Sequence, residues 1–321
     1  MKAGDINKVQ SLLKGLIHNA IVSSVDFVVD KCSKIGNTPQ EPDFIASLTL
    51  KFTPELFNIL KATFPKSKFS VTGVFCHQKP LADIGLTKDP EIGDILVVYI
   101  YTDKRGSKKL NSLLLQAKIS TKSTTVVPAT DEHQLKLYLD WPAFKYKRAG
   151  KLNGTSRDIL PKTINDGAQY LLIDDHPIYG LAGYAGTFPM GCATPAKTLS
   201  INNDLTSEVI DFLKFKSGRA FEENPSTSKD DWTKMVWDIL NATKAKASKR
   251  KNAGLNNFPR QVTKNFDGCC FFKAETNSIY QDLHSELGHG DFQRTANNFF
   301  DEDNISPSVI LIESTEQADE E

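Results

Sequence analysis

No Cys-x-x-Cys pair occurs in this 321-residue chain, and its five cysteines (Cys32, Cys76, Cys192, Cys269, Cys270) are scattered apart from one adjacent pair. That pattern argues against a zinc site and against a disulfide framework, and a reducing compartment fits it best. No Gly-Lys-Ser/Thr follows any glycine-rich stretch, residues 180–186 included, so the chain is not expected to hydrolyse nucleotide on its own. No uninterrupted apolar run approaches the roughly 20 residues of a membrane helix. The opening Met1-Lys2-Ala3-Gly4-Asp5 lacks the basic-then-apolar layout of a signal peptide. A cytoplasmic protein with no membrane partner is the expectation. Internal repeats are also missing, which sets repeat architectures aside.

What is present is a composition ordinary for a soluble globular protein, with length enough for one large domain or two modest ones. The formal net charge is zero but unevenly spread: residues 301–321 hold eight acids and no base, which leaves +8 on the first 300 residues. Basic clusters recur at Lys104-Arg105 with Lys108-Lys109, at Lys145, Lys147, Arg148 and Lys151, and at Lys244, Lys246, Lys249, Arg250 and Lys251. Phosphate-rich partners are electrostatically suited to such clusters, although any single cluster is more simply a solvated loop or helix end.

Periodicity predicts a helix over residues 6–30, broken near Ser23-Ser24, and a strand over 44–52 from alternating apolar residues. Thr53-Pro54-Glu55 reads as a helix start, with the helix running to about Phe64. Strands are expected over 69–76, 95–101, 110–119 and 168–173, with a helix over 131–144 interrupted at Pro142. Further on, helices are expected over 206–215 and 230–249 and short strands at 269–272 and 309–312. The stretch from residue 313 reads as a disordered acidic tail.

The segment GDILVVYIYTDKRGSKKLNSLLLQAKIS, residues 93–120, is a hairpin with an acid at one open end and Gln-Ala-Lys at the other. Gln116 and Lys118 are two apart, so they share a face. A three-residue Arg105-Gly106-Ser107 loop makes paired residue numbers sum to 212 and sets Asp94 opposite Lys118. A Lys104-Arg105-Gly106 loop makes the sum 210 and sets Asp94 opposite Gln116. Either register gathers an acid, an amide and an amine on one face; a two-residue Arg105-Gly106 loop would put Asp94 on the other. A carboxylate with neighbouring oxygens can hold a hard cation such as Mg²⁺, which polarises a phosphate and acidifies a bound water. A nearby ammonium stabilises charge developing on phosphorus.

These residues resemble the PD-(D/E)xK nuclease superfamily, in which an Asp on one strand is followed by (Asp/Glu)-x-Lys on the next. Gln116-Ala117-Lys118 matches the Gln-x-Lys variant of Mrr-type restriction endonucleases, and the expected element order over residues 40–175 matches the family core of helix, three strands, helix, strand. Gln134 to Tyr138 fits the Gln-x-x-x-Tyr pattern of RecB-type members, where the two side chains, four apart on a helix, would face nucleic acid. The resemblance implies an α/β restriction-endonuclease-like core, a mixed central sheet flanked by helices, with an α+β C-terminal extension. It implies a Mg²⁺-dependent deoxyribonuclease (Mn²⁺ being the substitute ion), expected to act as an endonuclease in restriction or antiviral defence. Asp94, Gln116, the Ala117 carbonyl and Glu41 would hold the metal, and Lys118 would serve the water or the scissile phosphate. Gln116 stands where the family pattern has an acid; such families recruit one from the first core helix, which Glu55 opens here, but Glu41, just before the strand expected over 44–52, is preferred. Lys145, Lys147 and Arg148 join Gln134 and Tyr138 as expected nucleic-acid contacts.

The domain expectation is a nuclease-like domain over 1–185, an extension over 186–312 and a tail over 313–321. A separate ATPase, helicase or sensor subunit is the expected partner besides DNA, and a homo-oligomer stays open. The competing readings are a catalytically inactive binding module of the same fold and a ribonuclease toxin. Asp174-Asp175-His176 reads as an ordinary strand-end turn, and His284 and His289 have no supporting spacing.

Overall fold

The computed structural model describes residues 1–34, 36–76, 80–174, 189–249, 270–274, 293–294 and 306–317. The glycine-rich stretch, Asp175, His176, His284, His289 and Cys269 lie outside the described residues, as do the side chains of the basic run at 244–251.

Helices α1 (Ala3–Lys8) and α2 (Gln10–Lys34) open the chain. They part at Val9 and not at Ser23-Ser24, because Ser24 stays within the helix and its hydroxyl donates to the Ile21 carbonyl. Helix α2 is long and apolar enough to cross a membrane by length and composition. Its Leu13, Ile17, Ala20, Ile21, Val25 and Val28 are nevertheless buried in one core with the helices that follow.

The strand expected over 44–52 is helical. Helix α3 (Glu41–Ser47) passes through a π-helical turn (Leu48–Phe52) into α4 (Thr53–Thr63). Residues 43–50 are all buried, so no solvent face remains to impose a 3.6-residue stripe, and the apolar alternation carries no strand meaning. Pro54 has no N–H to give an α-helical ladder, and the wide turn comes immediately before it.

Strands and helices then alternate: β1 (Ser67–Phe75), β2 (Leu81–Asp83), β3 (Ile95–Thr102), β4 (Lys108–Ile119), β5 (Thr124–Val126), α5 (Glu132–Asp140), β6 (Phe144–Lys147), β7 (Ser156–Arg157) and β8 (Ala168–Ile173). After these come β9 (Met190–Ala193), β10 (Thr198–Asp204), α6 (Leu205–Leu213), β11 (Arg219–Ala220), α7 (Asp231–Lys249), β12 (Cys270–Ala274), β13 (Gln293–Arg294) and β14 (Ser308–Glu316). The main sheet runs β13-β12-β1-β14-β3-β4-β8-β9-β10-β5, with β11 also on β4, and a small sheet runs β2-β6-β7. It is mixed: β14 is parallel to β3 and β8 to β4, while the β3–β4 hairpin is antiparallel. One face packs against α2, α3, α4 and α6; the other packs against α5, α7 and the small sheet.

The C-terminal residues belong to this sheet, which corrects the expected division at 185 and the expected tail from 313. Strand β14 lies between β1 and β3, so Glu313 is buried and Ser314 Oγ lies 2.8 Å from the Tyr99 hydroxyl. The acids of 313–316 resembled a solvated run because their alternation with Ser314 and Thr315 hides a strand that is buried along most of its length.

The hairpin adopts the Lys104-Arg105-Gly106 loop. Thr102 pairs with Lys108 and Ile95 with Leu115, which is the 210 register. Asp103 Oδ1 accepts from the N–H groups of Arg105 and Ser107, and Gly106 takes φ +83°.

Gly73 of β1 sits against the π-helical turn, where an added Cβ would lie 1.8 Å from the Thr49 carbonyl oxygen. Backbone cannot yield there as a side chain would. Gly73→Ala is therefore expected to cost at least about 1–3 kcal/mol, read as a lowered urea midpoint; an unchanged midpoint would show that this contact is not tight.

Candidate active site

Strand β4 outruns β3. Pairing stops at Ile95 and Leu115, with one further bond from Asp94 N to the Leu115 carbonyl (3.0 Å). Beyond it, the Ala117 and Ile119 N–H groups face an edge that β3 has vacated. Two carboxylates take the place of the missing ladder: Asp94 Oδ2 accepts from Ala117 N (2.7 Å) and Glu41 Oε1 from Ile119 N (3.2 Å). Gln116 Nε2 also donates to Asp94 Oδ2 (2.5 Å). The N–H and C=O of one strand residue point to the same edge, so the Ala117 carbonyl faces this site as well. Asp94 is fixed on its other side by Ser308 of β14, whose N–H donates to the Asp94 carbonyl (2.9 Å).

Lys118 projects from the same stretch. Its Nζ lies 2.8 Å from Asp131 and 3.8 Å from Glu41. Glu41, Asp94, Gln116, Lys118 and Asp131 line one cavity of about 770 Å³, together with Glu91, Lys88, His133, Gln134 and Arg148. The Glu91 carboxyl is near enough for its charge to act on Asp94.

So many acids in one enclosure cannot all ionise freely. Burial, then the charges of Glu91 and Glu41, hold the Asp94 carboxyl well above the ordinary carboxylate range, against the Ala117 N–H and Lys118. Burial likewise raises Glu91 and Glu41, with Lys118 opposing in both. Burial disfavours the Lys118 ammonium, but Glu41 and Asp131 outweigh it and raise its pKa. Burial also works against the Asp131 carboxylate, yet the Lys118 hydrogen bond and charge leave it below its ordinary value.

Of the residues singled out in the sequence, Asp94, Gln116, Lys118 and Glu41 thus meet in one place. Glu55 does not; it pairs with Lys51 (2.9 Å). Tyr138 is buried within the core, while Gln134 lines the cavity with its amide engaged by the chain. Gln134 Nε2 donates to the Glu91 carbonyl (2.9 Å) and the fully buried Tyr138 hydroxyl to the Ile92 carbonyl (2.9 Å). The pair instead pins the two consecutive backbone carbonyls just before Asp94. Lys145 and Lys147 alternate outward on β6, but Lys147 is bound to Asp83 (3.1 Å) and Asp89 (3.0 Å). Arg148, exposed and held at φ +50°, lines the cavity.

Glu91 and Asp131 were not anticipated as site residues. An acid three residues ahead of Asp94, in Asp89-Pro90-Glu91-Ile92-Gly93-Asp94, was the available signal for Glu91. Asp131 was hidden by its place at a helix start, where an acid needs no further explanation.

Among the described residues, no three His, Cys, Asp or Glu side chains converge closely enough to cage an ion unaided. A hard cation accepts amide and carbonyl oxygens too, and Gln116 Oε1 is buried without a hydrogen-bond partner beside Asp94. That unused oxygen, the Asp94 carboxylate, the Ala117 carbonyl and Glu41 are oxygens of the type a hard cation takes. Comparison with family profiles, curated proteins and solved structures finds no match to the chain.

The acid cluster has a consequence for stability. A carboxyl whose folded pKa is raised binds its proton more tightly when folded, so it favours folding below the unfolded value near 4 and loses that contribution as pH rises through the folded pKa. Without divalent ions, the melting temperature is expected to fall as pH rises from about 4 through the raised pKa values of Glu41, Glu91 and Asp94, and Mg²⁺ should recover it at neutral pH. Asp94→Asn should melt higher than wild type in EDTA at neutral pH and gain little from Mg²⁺. A wild-type melting curve indifferent to both pH and Mg²⁺ would contradict the electrostatic account.

Proposed function

We propose that this chain is a Mg²⁺-dependent nuclease that hydrolyses phosphodiester bonds in DNA, with a restriction-endonuclease-like core of the PD-(D/E)xK kind. The observation that carries the reading is the meeting of Asp94, Gln116, Lys118 and Glu41 in one cavity at the open end of the β3–β4 hairpin. The order α4, β1, β3, β4, α5, β8 is that of the family core, with β14 inserted between β1 and β3 as an elaboration.

Asp94, Gln116 Oε1, the Ala117 carbonyl and Glu41 would hold the ion. When bound, Mg²⁺ supplies a Lewis acid for the phosphate and a more acidic water. Lys118 brings a positive charge to the same cavity, where it can offset charge developing on phosphorus. Arg148 and Lys88 at the cavity wall, with Lys145 outside it, offer cations to the flanking phosphates. Gln134 and Tyr138 hold the acidic segment in place and leave DNA contact to these bases. Restriction or antiviral defence, with a separate ATPase or sensor subunit, follows from the family resemblance.

A catalytically silent module of the same fold is the second reading. The neutral Gln116 favours it, as do the two hydrogen bonds that Asp94 Oδ2 already accepts from the chain.

Incubation of purified protein with plasmid DNA, linear DNA and RNA, with and without Mg²⁺, separates the readings. Metal-dependent DNA cleavage is expected, and Asp94→Asn and Lys118→Ala should each lower it by about 10²–10³. The Lys118 variant should still bind metal. Full activity in either folded variant would place the chemistry elsewhere, cleavage of RNA alone would make the chain a ribonuclease, and no cleavage with any ion would favour the silent module.

A further inference from the structure

Lys118 has two acids within reach, and they come from different elements. Glu41 belongs to the carboxylate group around Asp94. Asp131 does not: it comes from the 3₁₀ turn Ala129–Asp131 that leads into α5. The ammonium pairs with both but lies closer to Asp131, at 2.8 Å, than to Glu41, at 3.8 Å. Both partners of the shorter pair are largely withdrawn from solvent, with 19 % and 24 % side-chain exposure, so the pair is not an ordinary surface contact.

The local structure makes this choice less expected. Asp131 occupies the N-cap position of α5, where an aspartate usually accepts from the first N–H groups of the helix, yet its side chain makes no such bond. The preceding turn satisfies two other N–H groups at this start: Asp131 N donates to the Pro128 carbonyl (2.9 Å) and Glu132 N to that of Ala129. The Asp131 carboxylate, unused in capping, is on Lys118 instead.

We infer that Asp131 is a positioning residue that draws the Lys118 ammonium off Glu41 and Asp94, leaving those carboxylates more available to a cation. The inference rests on the nuclease reading for its use, but not for its test. With Asp131 gone, Glu41 becomes the nearest acid to Lys118, and the charges of Glu41 and Asp94 favour the cation moving toward them against the cost of burial. The lysine would then serve as an internal counter-ion and compete with Mg²⁺. Lys88 and His133, which also act on Asp131, line the same cavity.

The experiment is a calorimetric titration of Mg²⁺ and of Mn²⁺ into the whole chain, with cleavage measured in parallel. Asp131→Asn removes the charge and Asp131→Ser leaves a residue that can cap α5; both should fold, as circular dichroism and melting will show. Each is expected to bind the ions at least about fivefold more weakly than wild type, although neither alters a ligand. Asp131→Glu, which keeps a carboxylate, should recover part of the affinity. Adding Lys118→Ala to Asp131→Asn should restore metal affinity without restoring cleavage, because the competitor is removed along with the catalytic cation. Unchanged affinity in both folded single variants would overturn the inference. So would a double variant that binds as weakly as Asp131→Asn alone, since Asp131 would then act by another route. A wild type that binds no divalent ion would also overturn it. Should the wild type show the full affinity pattern yet cleave nothing, the positioning role stands and the nuclease reading fails.

Discussion

The mismatch in length between β3 and β4 is the constraint on which the site depends. An antiparallel strand that outruns its partner leaves N–H groups with no ladder carbonyl, and a buried N–H without a partner costs about 1–3 kcal/mol. At Ala117 and Ile119 the chain meets that cost with carboxylates in place of carbonyls. Asp94 and Glu41 are thereby placed beside β4 by the hydrogen-bonding needs of its backbone. Period-two alternation then fixes the rest: the N–H groups of 117 and 119 address the acids, while the side chains of Gln116 and Lys118 share a face. A register shifted by one residue would keep every strand and lose this grouping.

The arrangement is electrostatically costly in the way functional sites often are. Glu41, Glu91 and Asp94 are each held above their ordinary range, burial being the first cause in every case. Lys118 faces them, and its closest partner is a fourth acid from another element. A sheet built only for stability would have satisfied the same N–H groups with neutral acceptors. The hydrogen bonds from Gln134 and Tyr138 to the carbonyls of Glu91 and Ile92 brace the segment that carries the acids, and they draw on residues buried in the opposite core layer.

Much of this was legible in the sequence, and what was not has physical reasons. The hairpin, its left-handed Gly106 and two admissible three-residue registers followed from turn chemistry; the choice between them lay with Asp103, whose carboxylate caps the loop. Sequence favoured Glu41 over Glu55 on position alone, and the reason is visible only in three dimensions, where α3 delivers Glu41 to the Ile119 N–H. Burial on every side erased the helical stripe of residues 44–52. Charge at 313–316 masked a strand because Glu313 is enclosed between β1 and β3, a long-range pairing that local composition does not report. Gln134 and Tyr138 have the spacing of a helix face, but spacing does not say whether that face meets solvent or backbone. Asp131 resembled a cap, and only its unused capping geometry distinguishes it.

Anomalous diffraction from crystals grown with Mn²⁺ tests the central claim most directly, because it reads the position of the ion and of Lys118 together. The account predicts a Mn²⁺ peak coordinated by the Asp94 carboxylate and Gln116 Oε1, with the Lys118 ammonium still on Asp131. An ion bound elsewhere, or a cavity that stays without one while Lys118 closes onto Glu41, would contradict it.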